Sequence, residues 1–158
     1  MRLDQIMEFR LSIDIAATPE QVYAVGIDIM HGPEIVSAIT NTEILSDGPI
    51  AVGTKFRETR IMFGREASEV MTIAKLEEPY RYPFTAESHG TAYVTDHVIE
   101  TLPDGGSRLS IIFSGKAQTV MAHLLMPLGL LFAGSLKKQL MGDLEDFMRA
   151  IESKQVVD

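Results

Sequence analysis

The chain begins with a regular alternation of polar and apolar residues. Over residues 6–16 the apolar side chains of Met7, Phe9, Leu11, Ile13 and Ile15 occupy every second position, and mostly charged or hydroxyl side chains lie between them. A period of two places these sets on opposite faces of a β-strand. The pattern predicts a half-buried strand.

Signals for helix starts follow at two places. Thr18 is a favourable N-cap, Pro19 suits the first helical position, and Gln21 completes a capping box with Thr18. Gly32 and Pro33 give a second signal for the start of a helix. We predict two short helices after the first strand.

Residues 40–117 are typical of strands separated by turns. Gly64–Arg65 and His89–Gly90 offer two-residue loops, and Asp104 to Gly106 offer a three-residue loop. With the first strand, the turn signals predict about seven strands. Strands joined by tight turns form an antiparallel sheet.

A helical period replaces the strand pattern after Thr119. One face is apolar: Leu136, Leu140, Leu144, Phe147 and Ile151. The other side carries charge: Lys137, Lys138, Asp143, Glu145, Asp146 and Arg149. We predict an α+β fold in which a curved antiparallel sheet wraps around this long helix. Residues 1–158 form one domain, with a frayed tail from about residue 153.

The turns also predict which strand residues face each other. The first loop pairs Met62 with Ala67, Arg60 with Glu69, Glu58 with Met71 and Phe56 with Ile73. The second pairs Ala86 with Tyr93, Phe84 with Thr95 and Tyr82 with His97. The third pairs Ile99 with Ile111 and His97 with Phe113.

These registers place charged residues on the inner face of the sheet. Glu58, Arg60 and Glu69 then lie among bulky apolar side chains. Burying a charge is costly unless it is paired or hydrated, so a water-accessible ligand pocket is one interpretation. A surface salt bridge between Arg60 and Glu69 at the open end of the sheet is the other.

Residues 120–134, VMAHLLMPLGLLFAG, carry no acidic or basic side chain except His123. A membrane span needs about 20 apolar residues, and the amphipathic helix continues directly, so we predict a buried or half-buried helix. Pro127 predicts a kink, or a break near Met126. The inner face would be Ala122, Met126, Gly129 and Ala133, whose small or flexible side chains leave space. Leu125, Leu128 and Leu131 would lie outside, where exposure would indicate a partner or a second copy of the chain.

Composition excludes several classes of function. The formal net charge is -8 and no basic cluster occurs, so nucleic acid is not an expected partner. There is no cysteine, and the four histidines lack metal-ligand spacing, so we expect no metal and no cofactor. The N-terminus lacks the apolar run of a signal peptide, which favours a cytoplasmic protein without integral membrane association.

Three segments resemble the SRPBCC superfamily (START-like, helix-grip fold), and specifically its polyketide cyclase/dehydrase-type members. They are TPEQVYAV (18–25), VGTKFRETRIMFGRE (52–66) and AHLLMPLGLLFAGSLKKQLMGDLEDFMRAIE (122–152). The resemblance implies a seven-stranded sheet that grips the C-terminal helix around a deep cavity. It also implies binding of lipids, sterols, polyketides or plant hormones, with cyclase activity in some members. No Rieske motif occurs, which excludes the oxygenase branch.

Candidate chemistry centres on His97, whose ordinary pKa suits acid–base catalysis. With Tyr82 and Tyr93 it could assist an aldol cyclisation or a dehydration, and Arg60 could hold an enolate or a carboxylate. The alternative, which we favour, is that these groups only orient a ligand or fill the core.

Three functions remain open. The first is binding or transport of a small hydrophobic molecule, lipid-like or polyketide/aromatic. The second is a cofactor-free polyketide cyclase or dehydratase, and the third is a regulatory module that binds a protein through its apolar helix surface. The predicted ligand-binding residues are Phe56, Glu58, Arg60, Met62, Glu69, Met71, Phe84, Tyr93, Thr95, His97, Ile99, Phe113, Met126, Gly129 and Ala133.

Overall fold

A computed structural model describes residues 6–157 of the chain. Its secondary structure follows the order that the sequence predicts. Residues 1–5 and Asp158 lie outside the described part. Asp158 is the last residue of the predicted tail. The elements are β1 (Ile6–Ile15), α1 (Pro19–Gly26), a 3₁₀ turn (Ile29–His31), α2 (Gly32–Ile35), β2 (Ile39–Ile44), β3 (Lys55–Met62), β4 (Arg65–Ile73), β5 (Arg81–Ser88), β6 (Thr91–Thr101), β7 (Ser107–Ala117), α3 (Val120–Leu130) and α4 (Ala133–Val157).

All seven strands form one antiparallel sheet in the order β1-β7-β6-β5-β4-β3-β2. β1 buries Phe9 and Ile15 and exposes the polar residues between them, as its alternation predicts. The predicted α+β class and helix-grip architecture are confirmed.

Strands β4 and β5 pair over only a short part of their length. Only three residue pairs join these strands, Met71–Ala86, Thr72–Thr85 and Ile73–Phe84. By contrast, eight pairs join β3 to β4. The first six residues of β4, 65–70, therefore diverge from β5 and are exposed.

Helix α1 begins at the cap that the sequence predicts, whereas α2 begins at Gly32 without a side-chain cap hydrogen bond. The Thr18 hydroxyl accepts from the backbone N–H of Gln21 at 3.3 Å, and the Gln21 side-chain oxygen accepts from the N–H of Thr18 at 2.9 Å. α1 buries Val22 and Tyr23 and contacts β6, β7 and α4. This end of the sheet is thereby covered.

The long helix α4 packs into the core through its C-terminal half. Leu144 and Ile151 are buried there with Ile15, Ile99 and Leu109. The helix continues to Val157, whereas the sequence predicted a frayed tail from about residue 153.

The helix before α4 differs from its prediction in two ways. Pro127 lies inside α3, which continues to Leu130, and the chain then bends by 77° into α4. Pro127 is exposed, so water can reach the His123 carbonyl that lacks an N–H partner. Burial is also lower than predicted at the start of α3, where Val120, Met121 and Leu124 are 79%, 65% and 70% exposed. Leu131, which was expected on the outer side, is 76% exposed.

Two predicted registers are wrong by two residues. The β3–β4 loop is Phe63–Gly64, so Met62 faces Arg65, Arg60 faces Ala67 and Glu58 faces Glu69. Both loop residues have positive φ, 53° and 74°, because this hairpin turn needs left-handed backbone at two positions, with glycine at the second. The β6–β7 loop is also longer, which pairs Ile99 with Leu109 and His97 with Ile111.

The His89–Gly90 register is confirmed, with Tyr82 opposite His97, Phe84 opposite Thr95 and Ala86 opposite Tyr93. A shift of two residues leaves every side chain on its predicted face, whereas a shift of one would have reversed it. The predicted inner face is therefore preserved in all three hairpins.

We expect Gly26→Ala to lower the free energy of unfolding by about 1–3 kcal/mol, as overpacking does. A Cβ on Gly26 would lie 2.1 Å from the Tyr82 hydroxyl oxygen, and the Tyr82 ring is held by its stacking on His97. Urea unfolding measures the change. Gly142→Ala in α4 is the control, because its Cβ meets nothing within 4 Å and should stabilise the helix by up to about 1 kcal/mol. Equal effects of the two substitutions would contradict this account.

Candidate ligand-binding cavity

A cavity of about 490 Å³ lies between the concave face of the sheet and α4. Its wall comes from β3 to β7, from α1 and α2, and from the residues around the α3–α4 bend. The volume falls in the range of small-molecule sites, about 300–1,000 Å³.

Space remains because α4 fills only part of the concave face. Its first turns present Ala133, Leu136 and Leu140 to the cavity, and Gly129 of α3 precedes them. A Cβ on Gly129 would meet nothing within 4 Å, so open space adjoins this backbone. Of the four small or flexible residues predicted to leave room, Gly129 and Ala133 line this cavity, whereas Ala122 and Met126 line a second pocket.

The middle of the wall is apolar and aromatic. Phe56 and Phe84 meet edge to face with ring centroids 5.2 Å apart, and the Tyr93 and Phe113 rings lie 5.7 Å apart. Met71, opposite Phe56, completes this surface. It suits the hydrocarbon part of a ligand.

His97 forms the polar group at one end of the cavity. Its ring stacks on Tyr82 at 4.4 Å with an interplanar angle of 6°, and its Nδ1 lies 3.1 Å from the Tyr82 carbonyl oxygen. Since a carbonyl only accepts hydrogen bonds, Nδ1 carries the proton and Nε2 has the lone pair. Within the described residues Nε2 makes no hydrogen bond.

Burial lowers the pKa of His97 from its ordinary 6.5 to about 4, although the hydrogen bond to the Tyr82 carbonyl opposes the change. At neutral pH the ring is therefore uncharged and offers an acceptor to the cavity.

Tyr82 has a different role from the one proposed for it in catalysis. Its ring is 1% exposed, and its hydroxyl is buried without a hydrogen-bond partner among residues 6–157. Burial raises the pKa of this phenol, so it stays protonated. The ring supports His97, but a hydroxyl enclosed in this way is not presented to a ligand.

Arg60 lies at the other end of the cavity, between two carboxylates. Its Nε donates to Glu58 at 3.0 Å and its Nη2 donates to Asp143 of α4 at 2.8 Å. The three side chains are 13%, 19% and 14% exposed. The predicted Arg60–Glu69 salt bridge is wrong, because the register shift brings Glu58 rather than Arg60 opposite Glu69.

Burial shifts the titration of this ion-pair cluster. It raises the pKa of Glu58 and of Asp143, although the charge of Arg60 opposes both changes. For Arg60, burial acts to lower the pKa, but the two carboxylates outweigh it and raise the pKa. The guanidinium stays charged and is shared between two acids.

Glu69 lies beside this cluster, where β4 diverges from β5. It is exposed, lines the cavity, and has no hydrogen bond or ion pair within the described part of the chain. Partial burial raises its pKa, against the opposing charges of Arg60 and His89. A third carboxylate thus lies at the edge of the charged end.

Most residues predicted for the site are on the cavity wall: Phe56, Glu58, Arg60, Met62, Glu69, Met71, Phe84, Tyr93, Thr95, His97, Phe113, Gly129 and Ala133. Two are not. Ile99 is 2% exposed and belongs to the core with Leu109, Leu144 and Ile151. Met126 lines a separate pocket of about 200 Å³ beneath α3.

The sequence reasoning missed Asp143 and the contact between two exposed phenylalanines. Asp143 was assigned to the outer side of α4, yet it lies three residues after Leu140 and seven after Leu136, which places it on the inner face. That spacing was an available signal. Phe63 contacts Phe132 across the cavity edge at 6.0 Å, a tertiary contact with no signal in the sequence.

Neither a metal centre nor a single membrane-spanning helix is found in the residues that the structure describes. No group of three or more metal-ligating side chains occurs between residues 6 and 157. No one helix there has both the length and the hydropathy to cross a membrane, whereas α3 and α4 taken as a bent pair meet those criteria.

Comparison with known proteins gives structural neighbours only. No family model and no curated protein matches the sequence. The fold is similar to TTHA0849 from Thermus thermophilus, with a TM-score of 0.73 and 16% identity over 94% of this chain and 99% of that one. It is also similar to a START superfamily protein from Mycobacterium smegmatis, with a TM-score of 0.69 and 14% identity over 91% and 98%.

A third neighbour is the di-domain ARO/CYC StfQ from the steffimycin biosynthetic pathway. The TM-score is 0.74 and the identity 11%, over 95% of this chain and 52% of StfQ. Together these likenesses show that the chain shares the fold of these proteins, the helix-grip fold that the sequence predicted. The resemblance that the sequence indicated is confirmed at the level of the fold.

The uncharged state of His97 predicts a pH dependence of stability. Because the folded pKa of about 4 lies below the ordinary 6.5, the folded state binds fewer protons in this window and loses stability as pH falls through it. Between pH 7 and pH 5 we expect the wild type to lose about 2 kcal/mol more than His97→Phe in urea unfolding.

The carboxylates of the charged end are present in both proteins, so this difference isolates the imidazole. Above pH 7 the two stability curves should run parallel. The account of His97 is wrong if the curves remain parallel down to pH 5.

Proposed function

We propose that this protein binds a small, mainly apolar molecule in the cavity between the sheet and α4. The observation that carries the proposal is the cavity itself, about 490 Å³, with an aromatic middle and a few polar groups at its ends. A concave, mainly apolar surface of this size is the usual form of a small-molecule site. A lipid-like or a polyketide/aromatic skeleton suits the wall formed by Phe56, Met71, Phe84 and Phe113.

The structural neighbours support a ligand-binding role in general terms. Two of them are described as a START superfamily protein and as an ARO/CYC protein of a biosynthetic pathway. At identities of 14% and 11%, they carry no assignment of the ligand to this chain.

Binding is favoured over cyclase or dehydrase catalysis by the state of the candidate groups. A histidine with a pKa of about 4 is a weak base at neutral pH, and efficient proton transfer needs a pKa near the working pH. The Tyr82 hydroxyl is enclosed and Arg60 is already shared by two carboxylates. Loss of turnover on His97→Ala with retained binding would instead support the enzyme.

Filling the cavity should abolish binding without unfolding the protein. We expect Ala86→Phe to weaken binding of the fluorescent probe N-phenyl-1-naphthylamine by at least about tenfold, since Ala86 lines the cavity between Met71 and Tyr93. Thr85→Phe is the matched control: it is the neighbouring residue, on the opposite face of β5 and away from the cavity, and should bind the probe as the wild type does.

Native mass spectrometry of the purified protein, alongside an organic extract, complements this titration. A stoichiometric apolar species that is lost in Ala86→Phe but kept in Thr85→Phe would support the proposal and give the ligand class. Equal probe binding by the two variants and the wild type would overturn it.

A second candidate function is association through the exposed face of α3. Its large apolar side chains are uncovered: Val120, Met121, Leu124, Leu125 and Leu128 are 79%, 65%, 70%, 53% and 56% exposed. Contiguous exposed apolar surface is uncommon on monomers and favours a partner, of which a second copy of the chain is the simplest.

If two copies pair through α3, sedimentation should show a dimer that Leu128→Asp converts to a monomer, with probe binding in the cavity unchanged. Leu128 is 56% exposed, so the substitution should not disturb the core. A wild type that stays monomeric at about 100 μM would exclude a dimer with a dissociation constant in the low micromolar range.

A further inference from the structure

The polar groups of the cavity are arranged as two separate ends. Tyr82, which faces His97, lies four residues along β5 from Ala86, and Ala86 is level with Met71 and Phe56. Glu58 lies two residues further along β3. Six residues of strand correspond to roughly 20 Å before the curvature of the sheet is considered. The apolar middle of the wall separates the two ends.

Both ends present acceptors of hydrogen bonds. At one end, Nε2 of His97 has a free lone pair, because Nδ1 donates to the Tyr82 carbonyl. The ring is half-buried against Tyr82 and Phe84, and no other described side chain bonds to Nε2. This unpartnered acceptor on the wall of a cavity points to a donor on the ligand.

At the other end, negative charge exceeds positive charge. Glu58, Asp143 and Glu69 surround a single guanidinium, that of Arg60. Glu58 and Glu69 face each other directly across the strands, an arrangement of like charges that destabilises a sheet. With the three acids ionised, the carboxylates and this guanidinium carry a net charge of about -2. An anion entering here would be repelled, whereas a cation would supply the missing charge.

We propose that the cavity selects apolar molecules whose polar groups are hydrogen-bond donors, with a basic amine at the Glu58–Glu69 end, and that it rejects carboxylates and phosphates. This proposal rests on the proposed function, since it concerns the same cavity, and it replaces the expectation that Arg60 holds a carboxylate or an enolate. Arg60 acts as the internal counter-ion that allows Glu58 and Asp143 to remain in the wall.

A matched set of probes tests this selectivity. The probes are 2-(2-naphthyl)ethylamine, 2-(2-naphthyl)ethanol and 2-naphthylacetic acid, which share one skeleton and differ in the end group. Titration calorimetry at pH 7 should give a dissociation constant at least about tenfold lower for the amine than for the acid, with the alcohol between them.

Three variants of the full chain separate the cavity from the overall charge. Glu69→Gln and Glu58→Gln each remove one negative charge from the wall and should reduce the amine-to-acid preference at least about threefold. Glu66→Gln removes the same charge from an exposed residue of β4 outside the cavity wall, and should leave the preference unchanged.

The outcomes distinguish the two proposals. The proposed selectivity would be overturned if the acid bound as tightly as the amine, or if Glu66→Gln and Glu69→Gln had equal effects. Binding of the alcohol would in that case still support the cavity as a ligand-binding site. Failure of all three probes to bind, together with failure of N-phenyl-1-naphthylamine, would overturn the proposed function and the selectivity with it.

Discussion

The structure depends on the packing of one long helix against only part of a curved sheet. The C-terminal half of α4 buries Leu144 and Ile151 in the core beside β1 and β7. Its N-terminal half crosses the concave face without filling it, so that Leu136 and Leu140 face open space. A sheet that curves around a single helix encloses more volume than that helix occupies. The cavity is therefore a consequence of the architecture, and its chemistry is set by the residues on the inner face.

The charged cluster joins the two layers through Asp143, which lies next to Leu144 in the middle of α4. Arg60 on β3 reaches Asp143 on α4 and Glu58 on its own strand, and each of these side chains is at most 19% exposed. Buried ion pairs contribute little net stability when compared with apolar residues of similar volume. Their cost is reduced here because the cavity can admit water. We infer that the cluster fixes the position of α4 over the cavity and sets its electrostatic character, rather than providing a large share of the folding free energy.

The sequence predicted the elements well because each has a local signal. The capping box of Thr18 and Gln21 forms as expected, and the alternation in β1 corresponds to its buried and exposed faces. The registers were predicted less well, because a glycine fits more than one position of a hairpin turn. His89–Gly90 was assigned correctly, whereas Phe63–Gly64 was assigned one residue too late, since an aromatic residue with positive φ is an uncommon loop choice. The assignment of side chains to the inner and outer faces was still correct, because a strand repeats every two residues and the registers were wrong by two.

The sequence by itself determined the fold class, the inner face of the sheet and the presence of charge on that face, since these depend on periodicity along the chain. Only the tertiary structure decided how the charges pair. Arg60 binds Glu58 and Asp143, not Glu69, because α4 comes from a distant part of the chain and its rotation over the sheet is set by the packing of Leu144 and Ile151. The same holds for His97. Its neutral state requires burial of the ring against Tyr82. Strand pairing predicts this contact, but how far the ring is buried depends on the layers packed above it.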